Sequence, residues 1–377
     1  MRKLAVISIA IIAMVTILAS CTVELPEDRW TNFHNDAANS GYSISKGVKK
    51  GEVEWAYQTK GMIVTSSPVI KNNRVYVSSD NGVVYCFKKN KEELLWQCPT
   101  GGKVLTTPAV TVSKVFVGAD DGYLYCIDEG DGSVQWKVKL GDAIHSSPTV
   151  ANGKIYVGSD NGNMYILDDG DGKIKWQYPT GGPIYTSPAV KIDKVYFGSD
   201  DGSVYAIDAD KEELLWKYPT AGKVRSSPAL GGSQIYFGSD DGFVYCLKAK
   251  DSEFYWKSQT GGSVRSSPAL AYSQVFIGSD DGNIYAMESG KKDNGMVNWK
   301  SPTGGKVRSS PAVAQHIVYA ASYEGSLYAL DEGKMDDGDL VKGLKFKVAL
   351  VGEIDSSPAI AASRLYIGGG KITCFKD

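Results

Sequence analysis

The sequence is poor in histidine and has no strong excess of charge. Of its 377 residues only three are histidines, and His34, His145 and His316 lie far apart in the chain. Metal sites need clustered His and Cys ligands, and Ser/His/Asp catalysis needs a histidine beside the nucleophile, so neither is indicated. Basic and acidic residues number 41 and 43, a balance that does not suggest a nucleic-acid-binding protein. Glycine-rich nucleotide-binding motifs are also missing.

The N terminus has the pattern of an export signal. Arg2 and Lys3 precede an apolar stretch at 4–17 that is too short for an ordinary transmembrane helix. The next residues, Leu-Ala-Ser-Cys at 18–21, fit a bacterial lipobox. We predict a lipoprotein signal peptide at 1–20, lipidation of Cys21, a linker at 21–29 and one domain at 30–377. A plain secretory signal with a chance cysteine is the alternative.

The predicted mature chain is therefore an exported, membrane-anchored protein. Thr22 follows the cysteine where an inner-membrane retention signal tends to have Asp, which favours the outer membrane, at its periplasmic face or the cell surface. Loss of the leader leaves 39 basic and 43 acidic residues, a net charge of −4. We expect a monomer that binds other envelope proteins and no nucleic acid.

A repeat of about 40 residues fills the rest of the chain. Each copy contains Ser-Ser-Pro or a close variant, and its proline serves as a ruler. The prolines are Pro68, Pro108, Pro148, Pro188, Pro228, Pro268, Pro311 and Pro358. Repeats of this length with four strand-like segments are typical of β-propeller blades. The slim Ser-Ser-Pro strand is expected at the central channel and the tryptophan-bearing strand at the outer rim, because a blade is a wedge.

The strand count predicts how the ring closes. The repeats supply eight inner strands but only seven outer strands after them, and the chain ends after a third strand. The missing outer strand is the segment around Trp55, which precedes the first inner strand. We therefore predict an all-β fold, an eight-bladed propeller of four-stranded antiparallel blades that is closed by an N-terminal strand in the last blade.

The six cysteines do not predict disulfides. Cys86, Cys126, Cys246 and Cys374 share one repeat position that Ala206 and other apolar residues fill in the remaining copies. Equivalent residues of neighbouring sheets lie about 10 Å apart, beyond the roughly 7 Å that a disulfide can bridge. We predict free, buried thiols.

The repeat resembles the tryptophan-docking motif of quinoprotein propellers, in which Asp stands eight residues and Gly four residues before Trp. Asp168 and Trp176 fit this spacing with Gly172 between them, and Asp128 and Trp136 fit it equally well. The resemblance implies a structural role for these four residues at the contact between blades. It covers nearly all of the mature chain.

This family of propellers includes quinone-dependent dehydrogenases and non-catalytic lipoproteins such as the β-barrel assembly component BamB. The dehydrogenases use a vicinal Cys-Cys ring and a tryptophan that stacks on the cofactor, and no adjacent cysteines occur here. The resemblance therefore implies a non-enzymatic protein without pyrroloquinoline quinone (PQQ), and a possible partner in an outer-membrane β-barrel assembly complex. The acidic turns at 128–132 and 168–172 resemble calcium loops, but they lack the full EF-hand spacing and fit ordinary Asp-Gly turns better.

The residue before Ser-Ser-Pro varies from blade to blade. It is Thr65, Leu105, His145, Tyr185, Arg225, Arg265, Arg308 and Asp355 around the ring. Alternate strand residues share a face, which adds Lys223 and Lys306 beside the arginines. We predict a binding mouth for an acidic peptide segment or an anionic glycan, comprising Lys223, Arg225, Arg265, Lys306, Arg308, His145 and Tyr185. The alternative is that the arginines face water and pair with aspartates of the Ser-Asp-Asp-Gly turns.

The function that the sequence predicts is a lipid-anchored interaction scaffold, BamB-like in outer-membrane protein assembly. A surface protein that binds an anionic glycan or small ligand is the second hypothesis, and a PQQ-dependent dehydrogenase is a remote third. On this reasoning, replacing Arg225, Arg265 and Arg308 together by Gln should weaken partner capture and leave thermal stability unchanged.

Overall fold

The computed structural model describes residues 28–63, 65–290, 295–334 and 343–377. These residues form eight four-stranded antiparallel sheets, and one sheet gains a fifth, parallel strand. The predicted eight-bladed all-β propeller is confirmed. The predicted signal peptide and Cys21 lie outside the described residues. No helix in the described ranges is both long enough and apolar enough to cross a bilayer.

The blades follow one another along the chain. Blade 1 comprises β3 (Val69–Lys71), β4 (Arg74–Ser78), β5 (Val83–Lys88) and β6 (Leu94–Pro99). Blade 2 comprises β7 (Ala109–Val110), β8 (Lys114–Gly118), β9 (Tyr123–Asp128) and β10 (Val134–Lys139). Blade 3 comprises β11 (Thr149–Ala151), β12 (Lys154–Gly158), β13 (Asn163–Asp168) and β14 (Ile174–Pro179). Blade 4 comprises β15 (Ala189–Lys191), β16 (Lys194–Gly198), β17 (Ser203–Asp208) and β18 (Glu213–Pro219).

The second half of the ring repeats the arrangement. Blade 5 comprises β19 (Ala229–Gly231), β20 (Gln234–Gly238), β21 (Phe243–Lys248) and β22 (Phe254–Gln259). Blade 6 comprises β23 (Ala269–Ala271), β24 (Gln274–Gly278), β25 (Asn283–Glu288) and β26 (Val297–Pro302). Blade 7 comprises β27 (Ala312–Ala314), β28 (Ile317–Ser322), β29 (Ser326–Asp331) and β30 (Leu344–Ala349), with a 3₁₀ turn at Glu332–Lys334 and β1 (Tyr42–Ser43) alongside β27. Blade 8 comprises β31 (Ala359–Ala361), β32 (Arg364–Ile367), β33 (Ile372–Lys376) and β2 (Glu52–Tyr57).

The ring closes through β2, as the strand count predicts. This strand pairs antiparallel with β33, and its register runs from Glu52 opposite Lys376 to Tyr57 opposite Ile372. The last blade is thus built from both ends of the domain. The pairing covers the edge that β33 would otherwise expose.

The two serines of the repeat have different structural roles. In blade 5, Ser226 Oγ accepts a hydrogen bond from the Gly238 N–H of its own blade at 2.9 Å. The N–H of Ser227 donates to Oγ of Ser267 in the next blade at 2.9 Å. Bonds of this second kind also join Ser67 to Thr107, Thr107 to Ser147, Ser187 to Ser227, Ser267 to Ser310, Ser310 to Ser357 and Ser357 to Ser67. The motif therefore holds neighbouring inner strands together around the axis.

Tryptophans connect the blades at the rim. Trp136 of blade 2 donates from Nε1 to the Gly170 carbonyl of blade 3 at 3.2 Å. Its indole lies against Gly172, where a Cβ atom would come within 2.8 Å of the ring and where φ is +74°. Asp168 fixes this turn, since its Oδ1 accepts from the Gly170 N–H at 2.8 Å. In blade 2 Asp128 accepts the equivalent hydrogen bond from the Gly130 N–H. Trp176 is half-buried at the rim of blade 3.

Glu212 occupies the same turn position as Gly172 but is not a glycine. Its φ is +57°, and its side chain is exposed. A left-handed conformation costs a non-glycine residue about 1 kcal/mol. We expect Glu212→Gly to raise the free energy of unfolding by about 0.5–1 kcal/mol, measured by urea denaturation. Glu213→Gly, a change inside the adjoining strand β18, is the control and should be destabilising.

The cysteines are free thiols, as predicted, among the residues that the structure describes. Cys86, Cys98, Cys126, Cys246 and Cys374 are all buried. Burial raises the pKa of Cys86, Cys126 and Cys246 to about 12. These thiols are therefore protonated and unreactive at neutral pH.

A segment before the first blade crosses one end of the channel, which the repeat pattern did not predict. Carbonyls of this segment accept hydrogen bonds from inner strands of six blades. The acceptors are Trp30, Thr31, Ala37, Ala38, Ser40 and Gly41, and the donors, in the same order, are Ile70, Val110, Val190, Leu230, Leu270 and Val313. Asn39 Nδ2 also donates to the carbonyls of Ser187 and Pro228, at 3.1 and 3.0 Å. We call residues 30–45 the plug segment.

Candidate functional site

An axial cavity of about 350 Å³ lies at the centre of the ring. Its wall contains the eight variable residues that precede Ser-Ser-Pro, from Thr65 in blade 1 to Asp355 in blade 8. Hydroxyl residues of the inner strands form the deeper wall, and Phe33 of the plug segment also lines the cavity. The structure thus brings His145, Tyr185, Arg225, Arg265 and Arg308 into one cavity.

Each of the three arginines is paired with an aspartate of the preceding blade. Arg225 donates from Nε and Nη2 to Asp200 at 2.9 and 2.7 Å. Arg265 binds Asp240 at 2.9 and 3.1 Å, and Arg308 binds Asp280 at 3.0 and 3.1 Å, through the same two nitrogens. These aspartates belong to the Ser-Asp-Asp-Gly turns. The pairing stated as the alternative is therefore what the structure shows, although the arginines line a cavity and do not face bulk water.

The carboxylates balance the charge of the predicted mouth. Lys223 Nζ lies 2.9 Å from Asp200, which is thus shared with Arg225. Burial opposes ionisation of Asp200, but the hydrogen bonds from Arg225 and Lys223 outweigh it and lower the pKa of this carboxyl. Lys306 is exposed and lines a shallow groove beside Asp280. The argument for an anionic ligand, which rested on unbalanced cations, loses its electrostatic basis.

His145 lies between two carboxylates on the opposite side of the cavity. Its Nδ1 is 2.9 Å from Asp160 and its Nε2 is 3.1 Å from Asp120. The hydrogen bond with Asp160 is the main cause that raises the pKa of His145. Tyr185 packs beside the imidazole with ring centroids 5.5 Å apart, and the Arg225 guanidinium lies 4.9 Å over the tyrosine ring. Blades 3 to 5 are therefore joined by one polar and aromatic network.

Asp355 is the carboxylate of this ring that is least well paired. Its Oδ1 is buried and has no hydrogen-bond partner among the residues that the structure describes. Burial raises its pKa to about 6, and Arg308 only partly counters the effect. From sequence Asp355 is only one of the eight variable residues, and its burial was not predictable because it depends on packing between blades.

The raised pKa of Asp355 predicts a pH-dependent stability. The pKa of an unfolded aspartate is about 3.9, so the folded state binds more protons between about pH 4 and pH 6 and stability falls as the pH rises through this window. Asp355→Asn should therefore raise the free energy of unfolding by about 2 kcal/mol at pH 7.5 and change it little at pH 3.5. Urea denaturation at both pH values measures this.

The neighbouring acid Glu353 provides the control for this measurement. Its side chain is exposed, so Glu353→Gln should change stability by less than about 0.5 kcal/mol at either pH. An equal gain from Asp355→Asn at both pH values would contradict the assignment.

The acidic turns bind their own backbone. Asp128 Oδ1 and Asp168 Oδ1 accept from the N–H groups two residues later, each at 2.8 Å. Lys175 Nζ lies 2.8 Å from Asp168 Oδ2. No group of three or more His, Cys, Asp or Glu side chains arranged to hold a metal ion is found within the described ranges. These contacts explain the turns without a cation.

The cavity does not fit PQQ, the cofactor that the dehydrogenase branch of the fold implies. PQQ is a polycarboxylate and needs unpaired cations around it. Here two donor groups of each cavity arginine are bound to an aspartate, and His145 is bracketed by Asp120 and Asp160. The buried Asp355 adds a further carboxyl to the wall. A polycarboxylate would meet acidic groups on both sides of the cavity.

Solved structures share this fold at low sequence identity. BamB from Moraxella catarrhalis superposes with a TM-score of 0.71 at 18% identity, covering 86% of this chain and 97% of that one. Quinohemoprotein alcohol dehydrogenase from Comamonas testosteroni gives 0.79 at 14%, covering 96% and 82%. The computationally designed Ika8 protein gives 0.73 at 15%, covering 87% and 100%. These likenesses establish the propeller and no more.

The sequence itself matches one family over almost the whole domain. A comparison with curated proteins finds no match. The model of the family described as "Outer membrane protein assembly factor BamB" matches residues 37–139, 120–225 and 200–377. Together these ranges cover every blade and most of the plug segment. The chain therefore belongs to the family of outer membrane protein assembly factor BamB.

Proposed function

We propose that the protein is a non-catalytic, lipid-anchored scaffold that binds other envelope proteins during outer-membrane protein assembly. The observation that carries the proposal is the family match, which runs without a gap from residue 37 to residue 377. The lipobox at 18–21 supports export and anchoring. Among the relatives of this fold, the dehydrogenases depend on a cofactor that the cavity does not fit.

The arrangement of the cavity is consistent with a binding surface. The plug segment crosses one end of the channel, and the turns that carry Asp200, Asp240 and Asp280 surround the other. We call this second side the mouth face. Rigid polar groups on turns of a closed ring can bind a partner without a large ordering cost. We propose that partners contact the mouth face.

Capture from native membranes tests the scaffold proposal. The full-length protein with a C-terminal tag is purified from its own membranes in mild detergent, and the associated proteins are identified by mass spectrometry. We expect an integral β-barrel protein to be recovered in a fixed ratio. Recovery of the tagged protein alone, after chemical cross-linking as well, would reject the scaffold.

A charge-neutral variant connects the capture to the mouth face. Arg225→Gln combined with Asp200→Asn removes both charges of one pair, so neither partner is left buried and ionised. We expect reduced recovery of the barrel protein with an unchanged melting temperature. The matched variant Lys173→Gln with Asp171→Asn removes an exposed pair in a turn on the side opposite the mouth face, and it should leave recovery unchanged.

A further inference from the structure

The side of the ring opposite the mouth face carries unusually exposed hydrophobic residues. In every blade the turn between the first and second strands lies on this side. The turn between the third and fourth strands lies next to it. In blade 6 these two turns are joined by a hydrogen bond from the Ser289 N–H to the Ser273 carbonyl. The plug segment also lies here, since Tyr42 packs on Tyr272 with ring centroids 5.9 Å apart. We call this side the anchor face.

Four of the five most exposed large hydrophobic side chains in the described residues lie on the anchor face. Val112 is 81% exposed, Ile192 75%, Met296 60% and Ile44 59%. Val112, Ile192 and Met296 belong to turns of blades 2, 4 and 6, and Ile44 follows the strand that pairs with blade 7. The apolar tips are thus distributed around the ring and do not form one compact patch.

Ile192 is also placed where the backbone disfavours it. Its φ is +56°, a conformation in which a β-branched residue is a genuine outlier. The equivalent turns of blades 3 and 5 have Asn152 and Gly232 at φ of +53° and +61°, residues that tolerate this region. Tyr272, Gln315 and Ala362 have positive φ at the same position in blades 6 to 8, but none of them is β-branched. The side chain of Ile192 is 75% exposed, so packing offsets little of this strain. Its presence is therefore better explained by a contact outside the folded chain.

The chain connects the same face to the predicted lipid anchor. Asp28, the first described residue, lies 3.6 Å from Lys89 Nζ, and the Lys89 N–H bonds to the carbonyl of Asn73 in a turn of the anchor face. Asp28 is seven positions after Cys21 in the chain. An extended chain of that length spans at most about 25 Å. An acyl group on Cys21 would therefore hold the anchor face close to the bilayer.

We infer that the anchor face lies on the lipid surface, with Val112, Ile192, Met296 and Ile44 in contact with the acyl boundary. Tips distributed around a ring match a plane better than they match a single peptide or groove. Tyr272, which is 36% exposed on the same face, is a residue type enriched at membrane interfaces. This orientation rests on the proposed anchoring, and it leaves the mouth face pointing away from the membrane toward its partners.

Fluorescent labels on opposite faces of one blade test this orientation. The chain from residue 21 to 377, with Cys21→Ser and a polyhistidine tag in place of the leader, is held on phosphatidylethanolamine and phosphatidylglycerol vesicles by a nickel-chelating lipid. A polarity-sensitive dye is attached at Val112→Cys or Ile192→Cys, and at Lys103→Cys on the mouth face of blade 2 as the control. The described native cysteines are buried and will not react.

We expect the dye at 112 and at 192 to shift to the blue on the vesicles and to be quenched by brominated acyl chains, and the dye at 103 to show neither change. Equal responses at 112 and 103, or no response at 112, would overturn the inference. A blue shift without vesicles that grows with protein concentration would also overturn it, because a second copy would then cover the face.

A second variant tests whether the apolar tips themselves bind the lipid. Val112→Asn with Ile192→Asn removes two tips, and asparagine tolerates the left-handed backbone of residue 192, so the fold should keep its melting temperature. A dye at Met296→Cys should lose most of its quenching in this background, and undiminished quenching would contradict the proposal. Since the tag replaces the acyl group, a failure of acylation in the cell would reject the proposed anchoring without changing this result.

Discussion

Trp55→Ala is expected to lower the free energy of unfolding by about 3–5 kcal/mol, the range for truncation of a large buried aromatic residue. Trp55 is 5% exposed and lies in β2, the strand that closes the ring. Its indole packs against Phe87 of blade 1 and Tyr366 of blade 8, with ring centroids 6.2 and 6.1 Å away. Its Nε1 donates to the Lys89 carbonyl of blade 1 at 3.2 Å. The substitution therefore weakens the contact between the last and first blades.

Trp136→Ala is the matched control, because Trp136 has the same repeat position in blade 2. It also donates from Nε1 to the following blade, but its side chain is only half-buried. We expect a smaller loss, about 2–3 kcal/mol, since less apolar surface is removed from the core. Urea denaturation followed by fluorescence and circular dichroism measures both. Equal losses of free energy of unfolding for Trp136→Ala and Trp55→Ala would mean that the contact that closes the ring stabilises the fold no more than other contacts between blades.

The closure of the ring was predictable from the sequence because it follows from the numbers of inner and outer strands. Each blade has one Ser-Ser-Pro strand and one outer strand with an aromatic residue, so an unpaired outer strand around Trp55 had to belong to the incomplete last blade. The same regularity predicted the buried cysteines. These features depend only on the position of a residue within its repeat, which the prolines measure directly.

The plug segment and the ion pairs were harder to predict for a common reason. The plug segment occurs once and has no period, so nothing in the sequence indicated that its carbonyls reach blades 1, 2 and 4 to 7. The partner of each arginine lies in the preceding blade, 25 residues back for Arg225 and Arg265 and 28 for Arg308. Which turn faces which strand depends on the rotation between blades. The repeat alone does not specify that rotation.

The exposed apolar tips on the anchor face could not be predicted from the sequence for a different reason. In the sequence Val112 and Ile192 occupy a turn position that blades 1, 3 and 5 fill with Asn or Gly. The periodic pattern alone does not distinguish a tolerated exception from a functional one. The structure adds that both side chains are exposed and that the plug segment shares their face. The inference that these side chains contact a membrane rests on both of these observations and not on the sequence position alone.

Replacement of Arg225, Arg265 and Arg308 together by Gln is expected to lower the free energy of unfolding by about 3–6 kcal/mol. From sequence alone this variant was expected to keep its stability. The structure changes the expectation because the side chains of Asp200, Asp240 and Asp280 are only 5%, 14% and 13% exposed. Loss of its arginine leaves each aspartate as a nearly buried, unpaired charge. The guanidinium groups are partly solvated, so each aspartate that is left unpaired should cost about 1–2 kcal/mol.

The deficit should depend on pH in a direction that identifies its cause. In the native protein the pKa of Asp200 is lowered, so the stability that this carboxyl contributes is present above about pH 3.9 and is lost as the pH falls through its folded pKa. Without the arginine, burial dominates and raises the pKa, so the unpaired group destabilises the fold at neutral pH. The difference in free energy between the two proteins should be largest near pH 7 and shrink toward pH 3.

The control removes the aspartates as well. Adding Asp200→Asn, Asp240→Asn and Asp280→Asn to the triple variant eliminates the unpaired charges, and we expect most of the lost stability to return at pH 7. The difference between the two variants measures the cost of the buried carboxylates, as in a mutant cycle. If the sixfold variant is no more stable than the triple variant, the arginines stabilise the cavity by packing and not by charge. Partner capture can then be compared in the sixfold variant, where the mouth face is folded and carries none of the three ion pairs.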